Sequence, residues 1–166
     1  MSSSLSSLVH SLAADLDNRY GNGVRAELRR SSTDNPGAAF WRVATEHLEP
    51  AGELGGPSPD PERVRRWALV LRAIAELGPL HRPGRSLGEA LAAAGVAEMR
   101  VIQLLRAHGE SLERELRALL MQLTSAGEPV NAVDIAYLVL TDGSDPAQRR
   151  TRHRIARSYF ASTSSS

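Results

Sequence analysis

Ser86–Arg106 reads SLGEALAAAGVAEMRVIQLLR, and its spacing predicts two short helices joined by a glycine turn. Ser86 and Glu89 make the S-x-x-E pattern of a capping box, in which both side chains satisfy amides that a first helical turn leaves open. Leu87, Ala90, Leu91 and Ala94 then fall on one helical face. Gly95 stands where the helix must stop, and glycine enters the left-handed region without a steric cost. In the second helix Val101, Ile102, Leu104 and Leu105 share one arc. Arg100, Gln103 and Arg106 share the opposite one, spread over about 120° at roughly 100° per residue. A helix pair that shows arginine to water suggests a surface for phosphate.

The same periodicity recurs outward from this segment. Leu5, Leu8, Val9, Leu12, Leu16 and Tyr20 mark a first helix that Gly21 ends. A short helix spans Val24 to Arg30, and Asn35 with Pro36 reads as the cap and first turn of a third, striped by Phe40, Val43, Ala44, His47 and Leu48. Glu49–Pro59 is a glycine- and proline-rich loop and the expected mobile segment. Asp60 and Pro61 open a long helix to Leu77, with Val64, Trp67, Ala68, Leu71 and Ala75 inward. Leu112, Leu116, Leu119, Leu120 and Leu123 define another, closed near Gly127. Asn131 caps the next, whose apolar face is Val133, Ala136, Tyr137 and Leu140. Asp145 and Pro146 start the last, which carries Ile155, Tyr159 and Phe160. No run alternates with the period of a strand. The expectation is an all-α, compact helical bundle of about eight or nine helices. It forms a single domain over residues 1–166, with residues 1–4 and 162–166 as frayed tails.

Composition narrows the function. Hydrophobic residues make up 42% of 166, enough for a core, but aromatics are only 4%, so leucine, alanine and valine must fill it. There is no apolar run long enough for a membrane span and no secretory leader pattern, so a cytoplasmic protein is expected. The absence of cysteine excludes disulfides, iron–sulfur clusters and thiolate zinc. His10, His47, His81, His108 and His153 do not fall at ligand spacings, and no phosphate-loop, dinucleotide or nucleophile-elbow motif occurs. Catalytic residues, a metal site and cofactors are therefore not expected.

All 20 basic residues are arginine, whose planar fork binds phosphate through two hydrogen bonds at once. The net charge is only +1, so any nucleic-acid surface must arise from clustering. Arg29 and Arg30 end a helix, where they also complement its dipole. Arg63, Arg65, Arg66 and Arg72 lie among Asp60, Glu62 and Glu76 and read as an ordinary solvated face. Arg149, Arg150, Arg152, Arg154 and Arg157, with His153, form the most one-sided cluster, since no acidic residue follows Asp145.

Four segments carry a resemblance to a known family. They are Leu16–Asn18 (LDN) followed by Arg29-Arg30, Ala38–Val43 (AAFWRV), the stretch from Ser86 to Ala107, and the leucine-rich helix through Leu119-Leu120. In order and spacing they resemble CasB, the small subunit of the type I-E CRISPR surveillance complex Cascade. The resemblance implies a non-catalytic structural subunit that contacts the backbone of guide RNA and target DNA and stabilises the R-loop in antiviral defence. It implies as partners the backbone and large subunits of Cascade and a second copy of the chain, with no membrane. The matching positions are Arg29, Arg30, Arg100 and Arg106, with Arg117 where the family tends to be basic. Ala118 stands where relatives can carry a second arginine. Arg149 and Arg150 enter only as part of a basic C-terminal segment. The alternative reading is a helix-turn-helix DNA-binding transcription regulator, with Gly95 at the turn and Arg100 reaching a groove. Either way the expected chemistry is a positive surface formed by guanidinium groups from separate helices.

Overall fold

Helices account for nearly all the regular structure, because the apolar residues recur at helical spacing from one end of the chain to the other. The computed structural model describes residues 2–142 and 146–164. Among them are nine α-helices, and the only extended pairing is an isolated parallel bridge between His81 and Val130. The chain divides into two compact units, one ending at Gly78 and one beginning at Pro79.

In the first unit α1 (Ser2–Asn18) and α2 (Gly21–Arg30) are followed by α3 (Ala38–Val43), a π-helical turn (Ala44–Leu48) and α4 (Pro61–Leu77). Asp60 caps α4 as its sequence predicts, accepting from the amide of Glu62, with proline in the first turn. Its inward residues Val64, Trp67, Ala68, Leu71 and Ala75 are all buried. α3 departs from expectation. Its N-cap is Gly37 rather than Asn35, and its open amide at Ala39 is met by the carboxylate of Glu27, 2.5 Å away on α2. A carboxylate delivered by a packed neighbour replaces the local cap, which single-sequence reading cannot see. The loop expected to be mobile is tied at several points. Leu54 is buried, Glu53 and Asp60 bond backbone to backbone with Leu48 and Leu54, and Arg63 donates to the Glu53 carbonyl at 2.8 Å.

In the second unit a 3₁₀ turn (Gly78–Leu80) leads to α5 (Leu87–Ala93), α6 (Glu98–Arg106), α7 (Gly109–Ala126), α8 (Ala132–Leu140) and α9 (Pro146–Ser164). α5 lies along α9, and Gly88 makes that approach possible: a Cβ there would sit 2.5 Å from the Ile155 carbonyl oxygen and 2.6 Å from the Tyr159 nitrogen. The helix pair of Ser86–Arg106 forms as predicted, with Ser86 accepting from Glu89 N at 3.2 Å and Gly95 at a φ of 75°. The next open amide of that first turn, Leu87 N, is taken not by a local side chain but by Asp134 on α8 at 2.8 Å. The five leucines of α7 are buried, and Asn131 caps α8. α8 is apolar nearly all round: Ile135, Leu138 and Val139 are buried beyond the expected face, while Tyr137 and Leu140 are only half-buried. The expected cap at Asp145 and the tail residues Met1, Ser165 and Ser166 lie outside the described residues, and the helical backbone of α9 continues to Ser164.

Candidate nucleic-acid interface

An arginine can grip an outside anion only if no internal carboxylate or carbonyl already holds its guanidinium. That criterion divides the arginines sharply. On α4, Arg65 pairs with Asp34 at 3.6 Å, Arg66 with Glu62 at 3.1 Å and Arg72 with Glu76 at 3.5 Å, and Arg63 lies 3.6 Å from Glu53. This is the internally neutralised face that its acidic neighbours predict.

Arg29 and Arg30 are exposed on the last turn of α2 and make no ion pair among the described residues. Arg30 also lines a cleft of about 450 Å³ together with Tyr20, Glu27 and Arg42. On α6 the predicted division holds. Val101 and Leu104 are buried, Ile102, Leu105 and Arg100 half-buried, and Gln103 and Arg106 exposed. Neither Arg100 nor Arg106 meets a carboxylate among the described residues. Met99 stands beside them at 68% exposure.

Arg117 is placed differently. It pairs with Glu113, one turn earlier on α7, at 2.8 Å, and is half-buried. Glutamate four residues before a basic residue is the favoured order for such a pair. That signal stands in the sequence. Glu113 is accordingly not a freely solvated charge.

The basic C-terminal cluster separates into three roles. Arg149, Arg150, His153 and Arg157 are exposed along α9 without ion pairs among the described residues. Arg154 lies 3.6 Å from Asp134 and over the Tyr137 ring. Arg152 is buried. Its guanidinium donates to the carbonyls of Leu104 (3.3 Å), Leu105 (2.5 Å) and Ala107 (2.8 Å), the open C-terminal end of α6. It also lies 3.5 Å from Asp142. Burial lowers the pKa of Arg152 from its ordinary value, with Asp142 opposing the shift. Arg152 is therefore withdrawn from the surface that sequence clustering implied. Tyr159 is a core anchor whose hydroxyl donates to the Val96 carbonyl at 2.6 Å.

Asp142 completes this junction. One oxygen accepts from the Gly109 amide at 2.8 Å, the first residue of α7, and the other lies 2.8 Å from His108 Nδ1. Gln148 on α9 donates to it at 2.9 Å. Burial pulls its pKa upward, but the Gly109 amide, His108 and Arg152 outweigh that and hold it below the usual carboxylate value. The end of α6, the start of α7 and the first turns of α9 thus meet through one buried cation and one carboxylate. Arg157 extends the α9 stripe and was identifiable from the absence of any acid within one turn of it. Arg42, which joins Arg30 at the cleft, has Glu46 four residues on, yet that carboxylate is taken by Tyr20 (2.6 Å) and Arg19 (3.0 Å).

No helix among the described residues is long and apolar enough to cross a membrane. Comparison with curated proteins and with solved structures finds no match. A family model, described as CRISPR-associated protein Cse2, matches residues 24–160. The matched region takes in Arg29-Arg30, Ala38–Val43, Ser86–Ala107, Leu119-Leu120 and the basic stretch of α9, and leaves out the LDN segment at Leu16–Asn18. It covers most of the chain and places it with Cascade rather than with the transcription regulators. The chain belongs to the Cse2 family, also called CasB, the small-subunit family of type I-E Cascade.

Proposed function

We propose that this chain grips the sugar–phosphate backbone of guide RNA and target DNA within Cascade, stabilising the R-loop without reading bases and without chemistry of its own. The observation that supports this most is the division among the arginines. Those of α4 are spent on internal carboxylates, whereas Arg100 and Arg106 of α6 and Arg149 and Arg150 of α9 are left without acid partners among the described residues. Guide pairing supplies sequence specificity in such complexes, so a helper needs only backbone contacts, which are sequence-independent and weakened by salt. Arg29 and Arg30 contribute in the same way from α2. Arg117 reaches phosphate only by releasing Glu113, so its share is smaller. The Cascade backbone and large subunits and a second copy of the chain are its protein partners in this reading.

The test is charge reversal at Arg100 and Arg106 together, assayed in the assembled complex. Target affinity falls and the slope of log affinity against log salt becomes shallower by roughly two, about one per lost phosphate contact. The circular dichroism of the subunit is unchanged. Unaltered affinity and slope in a correctly assembled complex would remove α6 from the interface.

A further inference from the structure

Arg106 is the last residue of α6, and its own helix end offers it a rival partner. The last carbonyls of any helix lack amide donors, and a terminal arginine commonly turns back to bond them. Here two of those carbonyls and that of the C-cap residue are already occupied. Arg152 reaches across from α9 and donates to Leu104, Leu105 and Ala107, the residues on either side of Arg106. It is 8% exposed, so it is not itself available to an outside ligand. Asp142 lies beside the same guanidinium at 3.5 Å and fixes the start of α7 through the Gly109 amide. Arg106 is left exposed, with no ion pair among the described residues.

We propose that Arg152 is a positioning residue for Arg106: by bonding the Leu104, Leu105 and Ala107 carbonyls from inside, it keeps the Arg106 guanidinium turned outward and available to a phosphodiester. Two physical effects act together. Hydrogen bonds that Arg106 would otherwise make to its own helix end are pre-empted. The partial negative charge of the α6 terminus, which would repel a phosphate arriving at Arg106, is cancelled by a buried cation. A sequence reading counts Arg152 and Arg106 as two equivalent surface charges, whereas in this arrangement one enables the other. The inference rests on the nucleic-acid reading above.

The experiment is a double-mutant cycle on the full-length chain, read by fluorescence anisotropy with a labelled single-stranded DNA oligonucleotide across a salt series. Arg152→Gln lowers affinity several-fold and flattens the salt slope by about one, matching Arg106→Gln although Arg152 itself touches no ligand. In an Arg106→Gln background the same Arg152 substitution changes affinity less than twofold. In an Arg30→Gln background its full effect persists. Arg152→Lys serves where the glutamine variant fails to fold, because a compact ammonium retains the charge but lacks the planar fork that spans the three carbonyls. Its binding loss must likewise vanish in the Arg106→Gln background. Effects that add in both backgrounds, or an unchanged slope in a folded Arg152 variant, overturn the inference while leaving the nucleic-acid reading intact. An Arg106→Gln variant that binds like the parent overturns the inference and removes Arg106 from the nucleic-acid surface.

Discussion

The carboxylate of Asp134 accepts the backbone amide of Leu87 at 2.8 Å, so the first turn of α5 is capped from α8 and not only by its own Ser86. The same device appears at Glu27 with Ala39, and at Asp142 with Gly109. Helix starts in both units are completed by acids from elsewhere in the chain.

Asp134 and Asp142 give opposite contributions to stability against pH. Burial raises the pKa of Asp134, against the Leu87 amide and Arg154, so the folded state binds its proton more tightly than the unfolded chain does. Its contribution is full below the ordinary carboxylate pKa and is lost as pH rises through the raised value. Asp142 is held low, so its contribution is present above the ordinary carboxylate pKa and is lost as pH falls through the depressed one. Urea unfolding of Asp134→Asn and Asp142→Asn between pH 3 and 7 checks this, since the two substitutions change the pH dependence with opposite sign. Asp134→Ala, which orphans the Leu87 amide, costs about 1–3 kcal/mol at neutral pH.

Gly88 and Gly23 separate close packing from helix propensity. A methyl group at Gly88 meets the α9 backbone, which cannot yield as a side chain would, so Gly88→Ala destabilises by about 1–3 kcal/mol or more. Gly23 lies within α2 with nothing within 4 Å of its virtual Cβ. There Gly23→Ala stabilises by about 0.5–1 kcal/mol. Thermal melts of the two variants shift in opposite directions.

Leu54 pins the Glu49–Pro59 segment. It is buried in a stretch otherwise made of turn residues, and Asp60 N bonds to its carbonyl at 3.0 Å, just before α4 begins. Leu54→Ala costs about 2–5 kcal/mol, as for a core leucine, whereas a free surface loop would lose almost nothing. Chemical denaturation measures it directly.

Removing paired and unpaired arginines distinguishes surface from scaffold. Arg149→Gln with Arg150→Gln flattens the salt dependence of nucleic-acid binding by about two. Arg65→Gln with Arg66→Gln, drawn from ion pairs with Asp34 and Glu62, leaves that slope unchanged. Anisotropy titrations at several salt concentrations read both.

Amino-acid order alone was enough to locate the helices, because an apolar stripe, a capping Asp, Asn or Ser and a terminating Gly are all local signals. Ser86, Asp60, Asn131, Gly95 and Gly127 do what their neighbours predict. It was also enough to find the arginines of α6, whose outward arc follows from a 3.6-residue repeat. Folding decided which of five clustered arginines on α9 face outward, since Arg152 and Arg149 differ by less than one turn and not at all in chemistry. Folding likewise decided which acids cap distant helices, placing Glu27, Asp134 and Asp142 where no spacing rule could. The physical reason is range: helix formation and capping act over about four residues, whereas burial of a charge depends on which surfaces the chain later brings together.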